Sequence, residues 1–457
     1  MVSSRFMLAN VVFAFVSLLL SMSGGAQKTS PRPAVLMISV DGMRPDAITQ
    51  ADAHGLKVPV LRSFMERGMF AEGVVGVVPT VTFASHATLV TGVWPSIHGI
   101  YNNTLFDPEN KTNGSWYWFE PEFQAPTLWS VASKAGIKTA SVFWPTTTNA
   151  TDIDYLVPAY PTHGADDANV IEAMSRPLGY FREIEKKAGT FYVRSPITDF
   201  DEYLTKVSVA MIRKSKPGFM TIHLVALDHT EHLTGPFSPE SNKALEAIDG
   251  MIGRLVQAER LSHPKSIVVV VSDHGFAAIH TTVNLTIPFV QAGLISIKAS
   301  ANASQPTVTS WKATLWNAGG SSYVILQDGA DQALYDRVRA LLETLRNNPD
   351  YGIARVLTQQ EIVAQGGDPH AAFLIDMHPG FSVGGRLDGP VVETALGGNH
   401  GYLPDHPELR SSFFAMGQGV PEHCDVGVID MRQIAPTIAL WMKTPLQDTK
   451  QPVSGCR

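Results

Sequence analysis

Four apolar runs set the rhythm of this chain: Ala34 to Val40, Lys138 to Phe143, Phe219 to Leu227 and Ser266 to Val271. Each reads as a strand covered on both faces, the pattern of a parallel sheet. Helical stretches alternate with them. Val58 to Arg67 stops at Gly68 and Thr127 to Ala135 at Gly136, where glycine suits the position after a helix end, and Pro239 to Ala258 is a longer amphipathic segment. Strands alternating with helices predict a doubly wound α/β sheet.

Two stretches break the alternation. Residues 145–200 are rich in Pro, Thr and Tyr, and residues 277–398 combine loops, a short β region and a helix near Asp331 to Arg346. Both read as insertions in one domain spanning 27–457, at the sheet edge where α/β folds build pockets. Ahead of them, Arg5, the apolar run Ala9 to Leu20 and Gly24-Gly25-Ala26 have the layout of a cleavable secretory signal over residues 1–26. The run is short of the ~20 apolar residues of a membrane anchor. The expected location is therefore secreted or periplasmic, without a stable membrane anchor.

Composition narrows the function. Apolar residues make up 44% and charged residues 17%, as in a folded globular protein. The net charge of −7 becomes −8 when Arg5 leaves with the signal, which argues against a nucleic-acid polymer as partner. A small phosphate ester stays open, because bound cations reverse a local field. Cys424 and Cys456 are the only cysteines and in an exported chain can form one disulfide pinning the tail; the alternative is two buried thiols. Asn-x-Ser/Thr sequons at Asn102, Asn110, Asn113, Asn149, Asn284 and Asn302 decide nothing by themselves.

The chemistry gathers at strand ends. Asp41 follows the first strand and precedes Gly42, an arrangement that also suits a simple turn. Asp273 and His274 end the run SIVVVVS, and Gly275 permits the backbone turn that lets both reach one ion. Asp228 and His232 are four apart, so one helical face stacks them; His229 would then face elsewhere. His400 sits in the glycine-flanked Gly397-Gly398-Asn399-His400-Gly401-Tyr402. Mixed carboxylates and imidazoles suit zinc, with Mn²⁺, Co²⁺ or Fe²⁺ also accommodated. One ion would take Asp41, Asp273 and His274, the other Asp228, His232 and His400. Two divalent cations against three aspartates leave one positive charge for an alkoxide, so a nucleophile belongs beside them. Thr82 is the candidate, just before a helix expected over Ser85 to Thr91, with Thr80 the nearest rival and an N-cap the plainer role.

The ordered series SVDGMRPD (39–46), PTVTFASHATLVTG (79–92), HGIYN (98–102), LDHTEH (227–232), SDHGF (272–276) and NHGY (399–402) resembles the nucleotide pyrophosphatase/phosphodiesterase family of the alkaline phosphatase superfamily. The likeness runs from about residue 34 to about 440. It implies an alkaline-phosphatase-like sheet with an α+β cap, two zinc ions on the ligands named above, and Thr82 as a covalent nucleophile that is phosphorylated and then hydrolysed. It also implies that the Phe83 N–H holds a phosphoryl oxygen and that the Phe83 ring stacks on a base or apolar group. Better-known members carry Asn three residues after the nucleophile; this chain has Ser85, whose hydroxyl is shorter and offers one donor. Tyr155 and Tyr160 either line the pocket or pack in the core.

Three readings compete. The first is a zinc phosphodiesterase or nucleotide pyrophosphatase acting on a small substrate. The second is a phosphomonoesterase or phosphonate hydrolase, for which Arg44 is the one cation near a motif. The third is a metal-dependent ligand-binding protein without turnover. Sulfatase chemistry is disfavoured, since no cysteine lies near Thr82.

Overall fold

A computed structural model of the chain describes residues 32–112, 115–160, 167–189, 197–299 and 306–457. The signal segment expected over 1–26 and the sequons at Asn113 and Asn302 lie outside the described residues.

Eight strands form the central sheet: β1 (Val35–Val40), β2 (Met69–Phe70), β3 (Thr139–Val142), β4 (Tyr155–Val157), β5 (Phe219–Leu224), β6 (Ile267–Val271), β7 (Phe413–Gly417) and β8 (Cys424–Asp425). Their order is β8-β2-β7-β6-β1-β5-β3-β4. The five strands β6, β1, β5, β3 and β4 are parallel, while β7 runs antiparallel to β6 and β2. Every residue of β1, β5 and β6 is buried, which is why their sequences lack the alternation of a half-solvated strand. The faces divide by parity. Leu36, Ile38 and Val40 pack with Leu245 and Ile252 on one side, and Val35 and Met37 pack with Val90 and Ile438 on the other. Each such side chain stabilises the fold by roughly 1.5–3 kcal/mol. Because β1, β5 and β6 run in one direction, their carboxyl ends open on one edge of the sheet, and the chain leaves there at Asp41, Val225 and Ser272.

Element ends differ from the sequence expectation where tertiary contacts decide them. The run Phe219 to Leu227 is not strand throughout: β5 stops at Leu224 and a helix, α3 (Ala226–Thr234), begins two residues later. The cause is Asp201 on α2 (Ile197–Ser215), whose Oδ1 accepts from Val225 N–H and Oδ2 from Ala226 N–H, both at 2.9 Å. That side chain is fully buried and caps α3 from outside its own sequence. The helix expected over Ser85 to Thr91 instead begins at Thr82 as α1 (Thr82–Thr91), with Val81 extended before it and no side-chain cap. The segment expected over Pro239 to Ala258 extends as α4 (Pro239–Ser262), its start capped by Ser238, which accepts from Ser241 N–H.

The 277–398 insertion is richer in strand than its sequence suggested. A four-stranded sheet of Ala313–Asn317, Ser321–Leu326, Phe373–Met377 and Ile353–Thr358 is antiparallel throughout. Ala277–Val283 pairs separately with Gly380–Val383, Val392–Thr394 and Gly398–Asn399. These pairings return the chain from Gly275 to His400, so the second histidine segment lies beside the first. Cys424 and Cys456 form a disulfide with Cα atoms 5.0 Å apart, pinning the tail to β8. The sequons at Asn102 and Asn284 are buried, their amides donating to the carbonyls of Asn317 and Pro390, so neither is available for a glycan in the folded chain.

Asp201→Ala removes two buried hydrogen bonds and leaves two amides unpaired. The variant should lose about 2–4 kcal/mol of stability, read as a lower midpoint in urea unfolding.

Candidate metal and phosphoryl-transfer site

The carboxyl edge of the sheet gathers six metal-type donors into two groups. Asp41, Asp273 and His274 form one and Asp228, His232 and His400 the other, and within each group the donor atoms lie within 4.8 Å of one another. In the first, His274 Nε2 is 3.4 Å from Asp41 Oδ1 and 3.2 Å from Asp273 Oδ2. In the second, Asp228 Oδ1 is 3.5 Å from His232 Nε2 and 3.7 Å from His400 Nε2.

The histidines are held in one orientation by backbone acceptors. Nδ1 of His274 donates to the Gly275 carbonyl at 3.1 Å, that of His232 to Gly398 at 3.2 Å, and that of His400 to Thr80 at 3.1 Å. Each Nδ1 therefore carries the proton and each Nε2 lone pair faces the carboxylates. The His274 and His400 rings stack with centroids 3.7 Å apart, tying the two groups together. Gly42 lies at φ +77°, a left-handed turn that delivers its N–H to Asp273 Oδ1 at 3.2 Å. Gly275 is fixed by close approach instead: a Cβ there would meet the Glu408 carbonyl oxygen at 2.2 Å.

Within the two donor groups, three carboxylate oxygens are buried with no hydrogen-bond partner: Asp41 Oδ1, Asp228 Oδ1 and Asp273 Oδ2. These are the oxygens nearest the Nε2 atoms. Burial, followed by the charge of neighbouring carboxylates, raises the affinity of Asp41 and Asp273 for a proton far above the usual carboxylate range; burial also raises that of Asp228. Burial pushes His274 well down, and burial followed by His232 pushes His400 down to about 3, so the imidazoles stay neutral. Tetrahedral N and O ligands at about 2.0–2.2 Å from zinc are about 3.3–3.6 Å apart. The observed spacings of 3.2–3.7 Å match that separation, and the donor set fits such an ion.

Thr82 is the first residue of α1, and its Oγ1 is 3.3 Å from His274 Nε2. It lines a cavity of about 360 Å³ together with Asp41 and Asp228, one residue from each donor group. The rival Thr80 is fully buried and donates its hydroxyl to the Tyr402 carbonyl at 2.9 Å, an anchor between the Thr82 segment and the His400 loop. Phe83, Trp116, Trp118, Phe143, Tyr160 and Phe200 make the aromatic wall of the cavity. Trp116 and Trp118 stack with centroids 5.6 Å apart, and Phe83 meets both edge-on.

Several expectations about this region need correction. Ser85 does not reach the cavity: α1 begins at Thr82, which turns Ser85 into the interior, fully buried with Oγ unpartnered. Tyr155 does not line the cavity either; it lies on β4 and packs against Tyr180, while Tyr160 takes the wall position. The Phe83 N–H donates to Asn103 Oδ1 at 2.8 Å instead of standing free. His229 shares the first turn of α3 with Asp228 and lines the same cavity, outside the donor group. Arg44 is turned aside, bonded to Asp46 and to the Phe276 carbonyl.

Three residues were not singled out from sequence. Asn103, beside the HGIYN motif, brings its side-chain amide to the N–H of Phe83, the residue after Thr82, and its own N–H is held by Asn102 Oδ1 at 2.8 Å. His86 donates from Nδ1 to the Thr82 carbonyl at 2.8 Å and receives the Ser39 hydroxyl at 2.9 Å. His223, inside β5, lies 3.0 Å from Asp41 Oδ2. A histidine within an otherwise apolar strand run was the available signal for the last.

A fold and site of this kind have relatives. The chain belongs to the type I phosphodiesterase / nucleotide pyrophosphatase family, whose model matches residues 35–403. It is 28% identical over 257 residues to human ectonucleotide pyrophosphatase/phosphodiesterase family member 1, covering 53% of this chain and 23% of that protein. Venom phosphodiesterase from Naja atra is 25% identical over 259 residues, covering 54% and 26%. The chain thus spans about a quarter of the curated relatives it matches. Among solved structures, murine ectonucleotide pyrophosphatase/phosphodiesterase 5 superposes with a TM-score of 0.63 at 17% identity, over 92% of this chain and 97% of that one. An inactive variant of the same murine protein, in complex with AMP, gives 0.61. The likeness establishes an alkaline-phosphatase-like fold for the chain.

Gly275→Ala tests the close approach that shapes the Asp273–His274 turn. A methyl against the Glu408 carbonyl should cost about 1–3 kcal/mol or more. The thermal midpoint should fall, and zinc content measured by atomic absorption should fall with it.

Proposed function

We propose that this chain hydrolyses phosphodiester or nucleotide pyrophosphate bonds, using two zinc ions and a covalent phosphothreonine at Thr82. The observation that carries the reading is the hydroxyl of Thr82, which opens a buried helix and shares one cavity with Asp41 and Asp228. Asp41, Asp273 and His274 would hold one ion and Asp228, His232 and His400 the other. Bound zinc supplies Lewis-acid polarisation of the phosphoryl group and a lower pKa for a coordinated hydroxyl. Thr82 would give up its hydroxyl proton and form the new O–P bond through Oγ1, while the ester oxygen departs with the electron pair of the broken P–O bond and takes up a proton. Water then attacks phosphorus, releasing the phosphoryl product and restoring the threonine oxygen.

The residues around Thr82 prepare that exchange. With Oδ1 of Asn103 accepting from the Phe83 N–H, its Nδ2 hydrogens are the amide donors left for a phosphoryl oxygen. Asn103 thereby fills the role first sought at Ser85. None of the described residues lining the cavity is Lys or Arg, and Arg44 is bonded elsewhere, which favours the singly charged diester over the monoester. The aromatic wall suits a flat or apolar ester group. The AMP bound by the murine protein makes nucleotide esters the first class to assay. Export accords with the Cys424–Cys456 disulfide, and among the described residues no helix is long and apolar enough to cross a membrane.

Thr82→Ala should retain about two zinc equivalents while its turnover of bis(p-nitrophenyl) phosphate falls about 10³-fold or more. Equal turnover in the variant would refute the nucleophile. Wild-type protein hydrolysing p-nitrophenyl phosphate faster than the diester would refute the diester preference, and activity undiminished after exhaustive chelation would refute the metals.

Trp118→Ala should raise KM for thymidine 5′-monophosphate p-nitrophenyl ester about 10-fold with a smaller change in kcat. An unchanged KM would remove Trp118 from the substrate wall.

A further inference from the structure

Asp41 is the one proposed metal ligand whose two oxygens face different groups of side chains. Oδ1 is unpartnered and lies 3.4 Å from His274 Nε2, within the first donor group. Oδ2 lies 3.0 Å from Nε2 of His223, a distance at which one shared proton joins the two groups whichever of them carries it. The other ring nitrogen of His223, Nδ1, is 3.2 Å from the carbonyl of Phe143. The imidazole therefore has a polar neighbour at each nitrogen, and it is 3% exposed where it borders the cavity.

A second observation concerns Phe143 itself. It is the residue after β3, and it adopts φ +57°, a left-handed conformation that costs a residue with a Cβ roughly 1–2 kcal/mol. Its N–H remains bonded to the Val157 carbonyl at 2.8 Å, so the strained turn acts on the carbonyl side, the side that meets His223. Strain of this sort persists only where neighbouring contacts over-determine it. Here the over-determined object is a histidine ring on β5, whose further hydrogen-bond-distance neighbour among the described residues is a carboxylate at the end of β1, with the His86 ring packed edge-on against the imidazole at 4.3 Å.

We infer that His223 is a positioning residue: the line from the Phe143 carbonyl through His223 to Asp41 Oδ2 fixes the Asp41 rotamer so that Oδ1 alone is presented to a metal ion. The inference rests on the two-zinc reading of the site. It adds a role for a residue outside both donor groups. Without His223, the Asp41 carboxylate can rotate about its Cβ–Cγ bond, and either oxygen or both can turn toward the His274 group. His223 makes no described hydrogen bond to the other donor group and meets it only through the charge of Asp228, so the larger consequence should fall on one of the two ions.

The test is zinc affinity, measured by competition with a chromophoric chelator on apo protein titrated with zinc alone. His223→Phe keeps the ring and removes both nitrogens; it should weaken one of the two zinc equivalents by about 10- to 100-fold and leave the other within a few-fold. His223→Gln restores an N–H near the position of Nε2 and should recover most of the lost affinity. Should the phenylalanine variant not fold, His223→Met, similar in length to glutamine but without a donor, replaces it in the comparison. Wild-type affinity at both sites in the Phe or Met variant overturns the positioning role while leaving the two-zinc reading intact. Equal loss in the Gln variant and the donor-free variant also overturns it, because the ring's packing would then be what matters. Wild-type protein that takes up no zinc overturns both readings together.

Discussion

The structure turns on three carboxylates in one cluster, two buried and Asp228 half-buried, each with a buried oxygen that has no hydrogen-bond partner. Asp41, Asp228 and Asp273 each keep an oxygen that no donor satisfies, and the imidazoles among them are held neutral. Removing a charge from water without a partner is costly, and a chain with no other use for these groups would protonate or replace them. The backbone works to hold the arrangement: carbonyls of Gly275, Gly398 and Thr80 hold three Nδ1 protons, and the Gly42 N–H holds the far oxygen of Asp273. An arrangement so fully oriented around unmet acceptors is organised for cations.

That demand explains the topology around it. The donors come from the ends of β1 and β6, the first turns of α3, and a loop reached only after the long insertion. Parallel strands supply the first two at one edge without special effort. The third needs Asp201 to break β5 early and start a helix, because a strand continuing to Asp228 would place that carboxylate beyond the edge. The fourth needs the 277–398 sheet to return the chain, and Thr80 to fasten the His400 loop to the Thr82 segment. Insertion and active-site geometry are one problem here, solved by backbone pairing.

What the sequence revealed follows the same division. Asp273-His274 was legible because a fully apolar strand ending in two polar ligands has few other uses. Asp228 and His232 were legible through their spacing, although the helix that realises it begins where strand was expected. Asn103 and His223 were not legible, since each acts through a partner distant in sequence: Phe83 is 20 positions from Asn103 and Asp41 182 from His223. Ser85 misled because its reach depends on where α1 starts, and boundary residues are what local patterns define least well. Tyr155 and Tyr160 could not be separated because the side facing the cavity depends on where β4 ends.

The character of the cavity follows from adding its wall to its floor. On the proposed reading, two divalent cations, three aspartates and a threonine alkoxide would leave the floor close to neutral, so it would give no large surplus of positive charge to an incoming phosphate. The described wall adds six aromatic rings and no cationic side chain. A dianionic monoester entering such a site would lose hydration on two negative charges with no surplus cation to meet the second. A diester would lose hydration on one charge, and its second ester group would gain contact with the aromatic wall in exchange for water. Discrimination of this kind needs no dedicated repulsive group, because incomplete compensation for the extra charge is itself the penalty.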